Sequence, residues 1–314
     1  MTPMDAFEKS RVMLASGSGF LGQLLVQEFE RRKCPTIILS RSPRPDRMAN
    51  GDSQQVKWDG KTAGEWFRLL EGAEAVINLT GRSVNCLHTP KNQSEIIESR
   101  VNSVRAIGEG IQHCARPPRV WIQAGSLAIY GDAGDRVCDE TTPPGEGFTT
   151  DVCTQWEKAF DEAKTPQTRK VLLRIGLVLG SRGGFIEPLI NLTACFLGGT
   201  IGSGRQYISW LHAEDFNRIV FRAIEDDSFD GVYNATGPNS VTNAEFMREL
   251  RRVMHRPWLP PTPVWAVRLG ARLIGTEASL ALTGRRCIPK RLTEAGFDFH
   301  FPELRKALEQ IAPC

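Results

Sequence analysis

The chain has 314 residues, with 39 basic and 36 acidic side chains and a net charge of +3. This length suits one large α/β unit or two fused lobes, and the charges form no long run of the kind that binds nucleic acid or membranes. The eight cysteines show neither a C-x-x-C pair nor metal-ligand spacing, so the sequence predicts free thiols and no metal site.

Two features bear on the compartment. No segment approaches the roughly 18 consecutive apolar residues that predict a membrane-spanning helix. Residues 1–11 contain Asp5 and Glu8 and lack an apolar core, which argues against a secretory signal. We therefore expect a cytoplasmic protein, and a mitochondrial address stays open.

The first predicted elements are a strand, a glycine turn and a helix within residues 12–22, V-M-L-A-S-G-S-G-F-L-G. In this context G-x-G-x-x-G is typical of dinucleotide binding. We expect Gly17 to form the tight turn, Gly19 to let the backbone approach a pyrophosphate, and Gly22 to let the helix pack on the strand. Phe20 and Leu21 open the helix, whose free N–H groups favour phosphate oxygens, and join the predicted site. The alternative is a purely structural turn.

The second predicted strand, residues 36–40, indicates which dinucleotide binds. Ser40 and Arg41 follow where NAD-binding folds usually carry an acidic residue, and Arg44 lies close behind. An acid would hold the ribose 2′-hydroxyl, whereas an arginine neutralises a 2′-phosphate. The sequence therefore favours NADP(H). A basic loop that simply faces water is the alternative.

Strand-like and helix-like runs then alternate. We predict strands at 75–80, 120–125 and 171–179, and helices at about 94–114 and 153–163. This alternation predicts a Rossmann-type, doubly wound parallel sheet with helices on both faces.

Beyond residue 180 the sequence becomes rich in glycine, and later elements predict a smaller lobe. Thr242 or Asn243 caps a predicted helix, a proline-rich connector occupies 257–263, and helices follow at 264–282 and 302–311. We expect residues 1–180, with a return segment at about 213–240, to form an NADP-binding Rossmann domain. Residues 181–212 and 241–314 would form the smaller substrate lobe.

Several motifs together resemble the extended short-chain dehydrogenase/reductase superfamily. Within it, the chain is similar to the atypical "epimerase family protein" branch of nucleoside-diphosphate-sugar epimerases, including a C-terminal region typical of that branch. The motifs are S-G-S-G-F-L-G (16–22), L-S-R-S-P (39–43), V-I-N-L-T-G (76–81), I-I-E-S-R-V (96–101), A-I-Y-G-D (128–132), W-E (156–157), G-S-G-R-Q-Y-I-S-W-L-H-A-E-D (202–215), Y-N-A-T-G-P (233–238) and G-R-R-C-I-P-K-R-L (284–292). Ser16 stands where the family usually has glycine.

The resemblance implies further cofactor-binding residues. Leu79 and Thr80 match positions whose backbone flanks the adenosine ribose, and Glu95 and Arg100 match positions that bind NADP in this branch. On a helical projection Arg100 lies at the edge of an apolar stripe and could reach inward. A surface arginine is the alternative.

The catalytic apparatus of the family is incomplete in this chain. Extended members use a serine and a Tyr-x-x-x-Lys pair, in which the lysine lowers the pKa of the tyrosine. Ser126 matches the serine, but the window for the pair falls on residues 149–153, with Thr149 and Cys153 at its ends. Tyr130 is the candidate substitute acid, although its position beside Ser126 favours packing. We expect Lys158 to be solvated and His212 to be a structural histidine.

Two functions from different classes fit these residues. The first is an NADP-dependent oxidoreductase or epimerase that acts on a nucleotide sugar or related carbonyl compound. Its ligand wall would comprise residues 198–204 with Arg205, Gln206 and Trp210. The second is a non-catalytic NADP(H)-binding protein with a redox-sensing or assembly role. We expect a small-molecule substrate and no nucleic-acid or membrane partner, and a homodimer stays open.

Overall fold

The computed structural model describes residues 11–43 and 53–312. Its centre is a seven-stranded parallel sheet with the strand order β3-β2-β1-β4-β5-β7-β11. The strands are β1 (Val12–Ala15), β2 (Thr36–Ser40), β3 (Gln54–Lys57), β4 (Ala75–Asn78), β5 (Val120–Ser126), β7 (Arg169–Ile175) and β11 (Gly231–Ala235). The order reverses beside β1, as in doubly wound dinucleotide-binding folds. The predicted fold class is confirmed.

Among the described residues, six short strands lie outside this sheet and pair in three two-stranded ladders, β8 with β10, β9 with β12, and β6 with β13. They are β6 (Val137–Cys138), β8 (Leu177–Leu179), β9 (Tyr207–Ile208), β10 (Trp210–His212), β12 (Val241–Thr242) and β13 (Arg286–Cys287). The predicted strand 171–179 therefore splits at Gly176. A side chain there would lie 2.7 Å from the Ser209 carbonyl oxygen, so the two backbones meet at the split.

Helices cover the sheet and make up much of the rest of the described residues. They are α1 (Phe20–Arg31), α2 (Pro90–Gln112), α3 (Phe148–Glu162), α4 (Ile186–Ala194), α5 (Ala213–Glu225), α6 (Asn243–Val253), α7 (Val264–Leu273), α8 (Ser279–Leu282), α9 (Lys290–Glu294) and α10 (Leu304–Ile311), with 3₁₀ turns at Glu65–Leu69 and Leu127–Tyr130. Helix α1 packs on α5, where the rings of Phe29 and Phe221 are 5.0 Å apart, and α2 packs on α3. No helix of the described ranges is long and apolar enough to cross a membrane.

Two predicted helices differ from the observed ones. The predicted helix 264–282 is interrupted after α7, where Gly275 adopts a left-handed φ of 74°. The predicted helix 153–163 begins earlier, at Phe148, where Gly147 is the N-cap and no side chain caps the helix, so the sequence carries no polar capping signal at this start. Thr242 caps α6 as predicted, and Glu245 completes a capping box with it.

The buried apolar residues form two large clusters. The larger cluster surrounds the seven-stranded sheet and includes residues from α5 and β11. The second joins α4, α6 and α10 around Trp210 and Phe246. The division of the chain into a Rossmann domain and a smaller substrate lobe stays a prediction.

The parallel register brings functional segments to one edge of the sheet. Ala15 at the end of β1 pairs with Leu39 in β2 and with Asn78 in β4. The turns that follow β1, β2 and β4 therefore lie side by side, where ligands bind in open α/β sheets.

Candidate functional site

The turn after β1 is tight, but its left-handed residue is Ser16 and not Gly17. Ser16 has φ 72°, a region that costs most L-residues about 1–2 kcal/mol. Gly17 is required for a different reason, because a Cβ there would lie 2.6 Å from Cγ2 of Ile38 on β2. The turn thus needs Gly17 for close packing against β2, whereas Ser16 supplies its left-handed residue.

Gly19 and Gly22 have opposite surroundings. A Cβ on Gly19 would meet no atom within 4 Å, so this backbone faces open space. A Cβ on Gly22 would lie 2.5 Å from the Ser16 carbonyl oxygen, so α1 can pack on the turn only with glycine there. The first helical bond runs from the Gln23 N–H to the Gly19 oxygen. The N–H groups of Phe20 and Leu21 thus have no acceptor within the helix.

The side chains of Phe20 and Leu21 are directed to packing. The Phe20 ring lies in a cradle of three glycines, since Cβ atoms on Gly180, Gly183 and Gly184 would approach it to 3.1, 3.2 and 2.7 Å. The Leu21 side chain packs against the larger core. Sequence reasoning missed this cradle, because the glycines lie 160 residues away and only the fold brings them to α1.

The end of β2 presents an unpaired cation. Arg41 is exposed, and within residues 11–43 and 53–312 it has no hydrogen bond or ion pair. Ser40 accepts a hydrogen bond from the Ser42 N–H at 3.3 Å. Arg44 lies outside the described residues. Ser40 and Arg41 therefore stand at the edge of the sheet next to the glycine turn.

A buried amide network fixes the turn after β4. Asn78 donates to Ser103 (3.2 Å) and Gln123 (3.0 Å), and its Oδ1 accepts the Thr80 N–H at 3.0 Å. Leu79 packs its side chain on the core. The Thr80 hydroxyl is buried and has no hydrogen-bond partner, so it is a polar atom left for a ligand to satisfy.

Glu95 and Arg100 differ in whether their charges are paired within the protein. Glu95 forms an ion pair with Arg82. Arg100 donates to the carbonyl oxygens of Arg82 and Ile96, both at 2.9 Å, and its guanidinium lies 5.1 Å from the Trp156 ring centre. No carboxylate of the described residues pairs with Arg100, and burial lowers its pKa. The inward orientation of Arg100 agrees with the reading from the helical projection.

Ser126 ends β5 and faces the same edge of the sheet. Its Oγ accepts the Ala128 N–H at 3.2 Å, which leaves the hydroxyl hydrogen free to donate to a ligand. The side chain is partly exposed. The Ser126 hydroxyl is therefore a free hydrogen-bond donor at this edge, and its catalytic role stays a prediction.

The Tyr130 side chain is buried, and its hydroxyl is hydrogen-bonded within the protein. Its hydroxyl contacts the Asp139 carbonyl and Asn234 Oδ1, both at 2.8 Å, and accepts from Arg174 at 2.9 Å. Arg174 in turn forms a two-pronged pair with Glu157 at 2.9 and 2.8 Å. The side chain is fully buried, and this burial raises the pKa of the hydroxyl. This geometry argues against Tyr130 as the substitute acid and favours the packing role.

Residues 149–153, which align with the family's missing tyrosine and lysine, lie in the first turns of α3. Cys153 is buried, and desolvation raises the pKa of its thiol to about 12, although the charges of Arg100, Arg285 and Arg174 oppose that shift. Thr149 is partly exposed. Lys158 faces solvent and pairs with Glu162 at 3.8 Å, as expected.

The predicted ligand wall is only partly available. Trp210 is fully buried, and its indole N–H donates to the Asn239 carbonyl at 2.8 Å, so its inclusion in the wall is wrong. Gln206 donates to the carbonyls of Ile201 and Ala281, and Arg205 is exposed. His212 is the expected structural histidine, with Nδ1 accepting the Glu214 N–H and Nε2 contacting Gln310.

Comparison with known families agrees with this geometry. A family model described as "NAD dependent epimerase/dehydratase family" matches residues 12–236, and a "Domain of unknown function (DUF1731)" matches residues 262–311. The chain belongs to the NAD dependent epimerase/dehydratase family. The resemblance inferred from the motifs is thereby confirmed.

Individual relatives cover nearly the whole chain. "Epimerase family protein SDR39U1" of Bos taurus is 33% identical, with 96% of this chain and 99% of the relative aligned. "Epimerase family protein YfhF" of Bacillus subtilis is 32% identical, with 96% and 97% aligned.

Two solved structures show the same fold. A human epimerase family protein SDR39U1, crystallised with NADPH, superposes with a TM-score of 0.85 at 30% identity, covering 96% of this chain and 99% of the human one. A nucleoside-diphosphate sugar epimerase from Corynebacterium glutamicum gives 0.76 at 26% identity, covering 96% of this chain and 58% of its own.

Proposed function

We propose that this chain binds NADP(H) and acts as an oxidoreductase or epimerase on a nucleotide sugar or related carbonyl compound. The observation that carries this proposal is the open face of Gly19, beside the free N–H groups of α1 and the unpaired Arg41. Backbone donors at a helix N-terminus favour phosphate, and an arginine in the position of Arg41 neutralises a 2′-phosphate. The NADPH in the crystals of the human relative supports the same choice.

The residues present fit this cofactor. The turn at 17–22 would hold the pyrophosphate, Ser40 and Arg41 the 2′-phosphate, and the backbone at Leu79 and Thr80 the adenosine ribose. The buried, unpartnered Thr80 hydroxyl is the atom that such a ligand would satisfy. Arg100 has no carboxylate partner among the described residues, so its positive charge remains available to the cofactor. When bound, the nicotinamide supplies the acceptor or donor of a hydride.

Among the protein's own residues, Ser126 would contact the substrate beside the reacting carbon. Its free hydroxyl hydrogen can donate to the substrate oxygen and hold it in place. Arg174, paired with Glu157, donates to the Tyr130 hydroxyl and so fixes the turn that follows Ser126. No tyrosine–lysine pair is present to move the proton, so we expect slow turnover.

A second candidate function follows from that absence. Thr149 and Cys153 occupy the window of the missing pair, and the Tyr130 hydroxyl is saturated. A protein that keeps the cofactor site without the proton donor would serve as a non-catalytic NADP(H)-binding protein, with a redox-sensing or assembly role.

The first test measures cofactor choice. We expect NADPH to bind about ten- to a hundredfold more tightly than NADH, because a charge-assisted contact to the 2′-phosphate is worth roughly 1.5–3 kcal/mol. Arg41→Asp should abolish or reverse that preference in fluorescence titrations, whereas Arg268→Asp, on exposed α7, should retain it. Equal affinities for both cofactors in the unchanged protein would contradict the proposal.

The second test separates the two candidate functions. The protein is incubated with NADPH and a panel of carbonyl compounds and nucleotide sugars, and turnover is compared with that of Ser126→Ala. Turnover that falls in Ser126→Ala supports the enzyme. Tight NADPH binding without turnover on any member of the panel supports the non-catalytic protein.

A further inference from the structure

The backbone of Arg285, the residue before β13, is fixed by hydrogen bonds to Tyr207 in β9 and to Ser209. Its backbone N–H donates to the Tyr207 carbonyl at 3.2 Å, and its carbonyl accepts from the Ser209 hydroxyl at 2.8 Å. The neighbouring Gly284 N–H donates to Asp132 Oδ1 at 3.0 Å. A side chain on Gly284 would lie 2.4 Å from the Tyr207 nitrogen, so this segment is packed tightly against β9.

The Arg285 guanidinium has no partner in the described part of the chain. Its Nε is shielded from solvent and makes no hydrogen bond, and no carboxylate lies within ion-pair distance of the group. Burial lowers its pKa, and the charge of Asp132 opposes that shift only in part. The buried arginines are satisfied, for Arg174 pairs with Glu157 and Arg251 donates to the Gly198 carbonyl. The Arg285 side chain is partly exposed, but its shielded Nε–H without an acceptor is costly.

The segment that carries Arg285 packs against the turn that follows Ser126, because Cys287 lies in one buried cluster with Leu127, Tyr130 and Cys153. The charge of Arg285 lowers the pKa of the Cys153 thiol against the effect of burial, and that of Arg100 does the same. Cys153 occupies the position of the family's lysine, and its thiol is neutral at pH 7. Arg285 and Arg100 thus bring two positive charges to this position without carboxylate partners of their own, and Glu157, whose negative charge also acts there, is already paired with Arg174.

We propose that Arg285 binds an anionic group of the substrate, a carboxylate or a phosphate, close to the carbon that reacts. The inference rests on the proposed function and narrows its substrate to an acidic carbonyl or hydroxy compound, such as a sugar acid or a sugar phosphate. An anion there satisfies the free N–H groups and forms a charge-assisted contact, which is among the stronger hydrogen bonds in proteins. Neutral analogues leave the guanidinium unpaired.

The test uses two matched ligand pairs, each titrated calorimetrically into the full chain saturated with NADPH. UDP-glucuronate and UDP-glucose differ by a carboxylate, and glucose 6-phosphate and glucose differ by a phosphate. We expect the anionic member of at least one pair to bind about tenfold more tightly or better. The pair that discriminates identifies which anion the site takes. Arg285→Gln should remove the preference and leave the affinity for NADPH unchanged.

Arg286→Gln is the matched control, because Arg286 is adjacent but exposed and lies over the Tyr207 ring at 5.4 Å. It should keep the preference. Equal affinities within both pairs, or a preference that survives in Arg285→Gln, would overturn the inference. Failure of NADPH itself to bind would instead overturn the proposed function.

A second variant separates ligand binding from a structural role. Arg285→Met removes the unpaired charge and keeps an apolar stem, so its melting temperature without ligand should equal or exceed that of the unchanged protein. A clear fall in melting temperature would show that Arg285 supports the fold, and would overturn its assignment to the substrate.

Discussion

At the scale of single residues, the turn after β1 shows how similar positions differ in function. Ser16 bears the left-handed conformation, Gly17 and Gly22 avoid collisions, and only Gly19 faces open space. The glycine spacing predicted the turn correctly. It could not distinguish these roles, because each depends on an atom of another segment.

Replacing Ser16 should therefore stabilise the protein. Glycine adopts φ 72° without the steric cost that serine bears there, and we expect Ser16→Gly to raise the free energy of unfolding by about 1 kcal/mol. Urea denaturation measures the change. Ser18→Gly is the control, since Ser18 lacks a positive φ. If both variants are equally stable, the conformation of Ser16 carries no strain.

The two glycines of the turn should respond in opposite ways to a new side chain. Gly19→Val should fold and lose at least about tenfold in NADPH affinity, because the added methyl groups occupy the open face that the pyrophosphate needs. Gly22→Ala should instead lower stability, since its Cβ would lie 2.5 Å from a carbonyl oxygen. Circular dichroism melting and NADPH titration distinguish the two effects. Undiminished NADPH binding by Gly19→Val would show the turn to be structural only.

At the scale of elements, the packing of α3 explains why substitution alone should not restore the family's catalytic tyrosine and lysine. The helix carries Cys153 into a buried cluster with Cys138 and Cys287. Arg100 and Arg285 place their positive charges near the same thiol. A lysine there would be buried beside like charges, with Glu157 already engaged by Arg174.

Cys153→Lys should accordingly destabilise the protein by about 3–5 kcal/mol, the usual cost of an uncompensated buried charge. We expect no gain in turnover from Thr149→Tyr combined with Cys153→Lys. Thr149→Tyr alone, at a partly exposed position, should retain most of the stability. Urea denaturation of all three variants measures these effects, and an unchanged midpoint for Cys153→Lys would mean that the pocket can accept a cation.

At the scale of the whole molecule, a few polar contacts join the core to the C-terminal segment. Asp139 follows β6 and pairs at 3.3 Å with Lys290 at the start of α9. Hydrogen bonds from Thr141 and then the charge of Lys290 lower the pKa of the Asp139 carboxyl to about 2. A carboxyl whose pKa is lowered on folding stabilises the protein above its unfolded pKa, and this contribution is lost as the pH falls through the folded value.

Asp139→Asn should therefore lower stability at pH 7 by at most about 1 kcal/mol, since solvent screens the pair. The difference from the unchanged protein should shrink between about pH 4 and pH 2, where the native carboxyl becomes protonated. Thermal unfolding across this range measures it. A difference that stays constant down to pH 2 would exclude the charge of Asp139 as its cause.

The sequence by itself determined the sheet, the glycine turn and the family. These features depend on local patterns, namely alternating hydrophobic runs, glycine spacing and contiguous motifs, which survive without knowledge of the fold. It also located Ser126, Arg41 and the missing tyrosine–lysine pair, because each is defined by its distance from a motif. The structural role of His212 likewise followed from the lack of other ligands at metal-binding spacing.

Only the tertiary structure decided which of those residues are available. It buried Trp210 and saturated the Tyr130 hydroxyl, and it placed the glycines after β8 around Phe20. It also brought Arg285 to Cys153 across more than a hundred residues of chain, and left its guanidinium unpaired. Burial and pairing are properties of contacts between distant segments, so hydropathy and spacing along one strand or helix do not encode them.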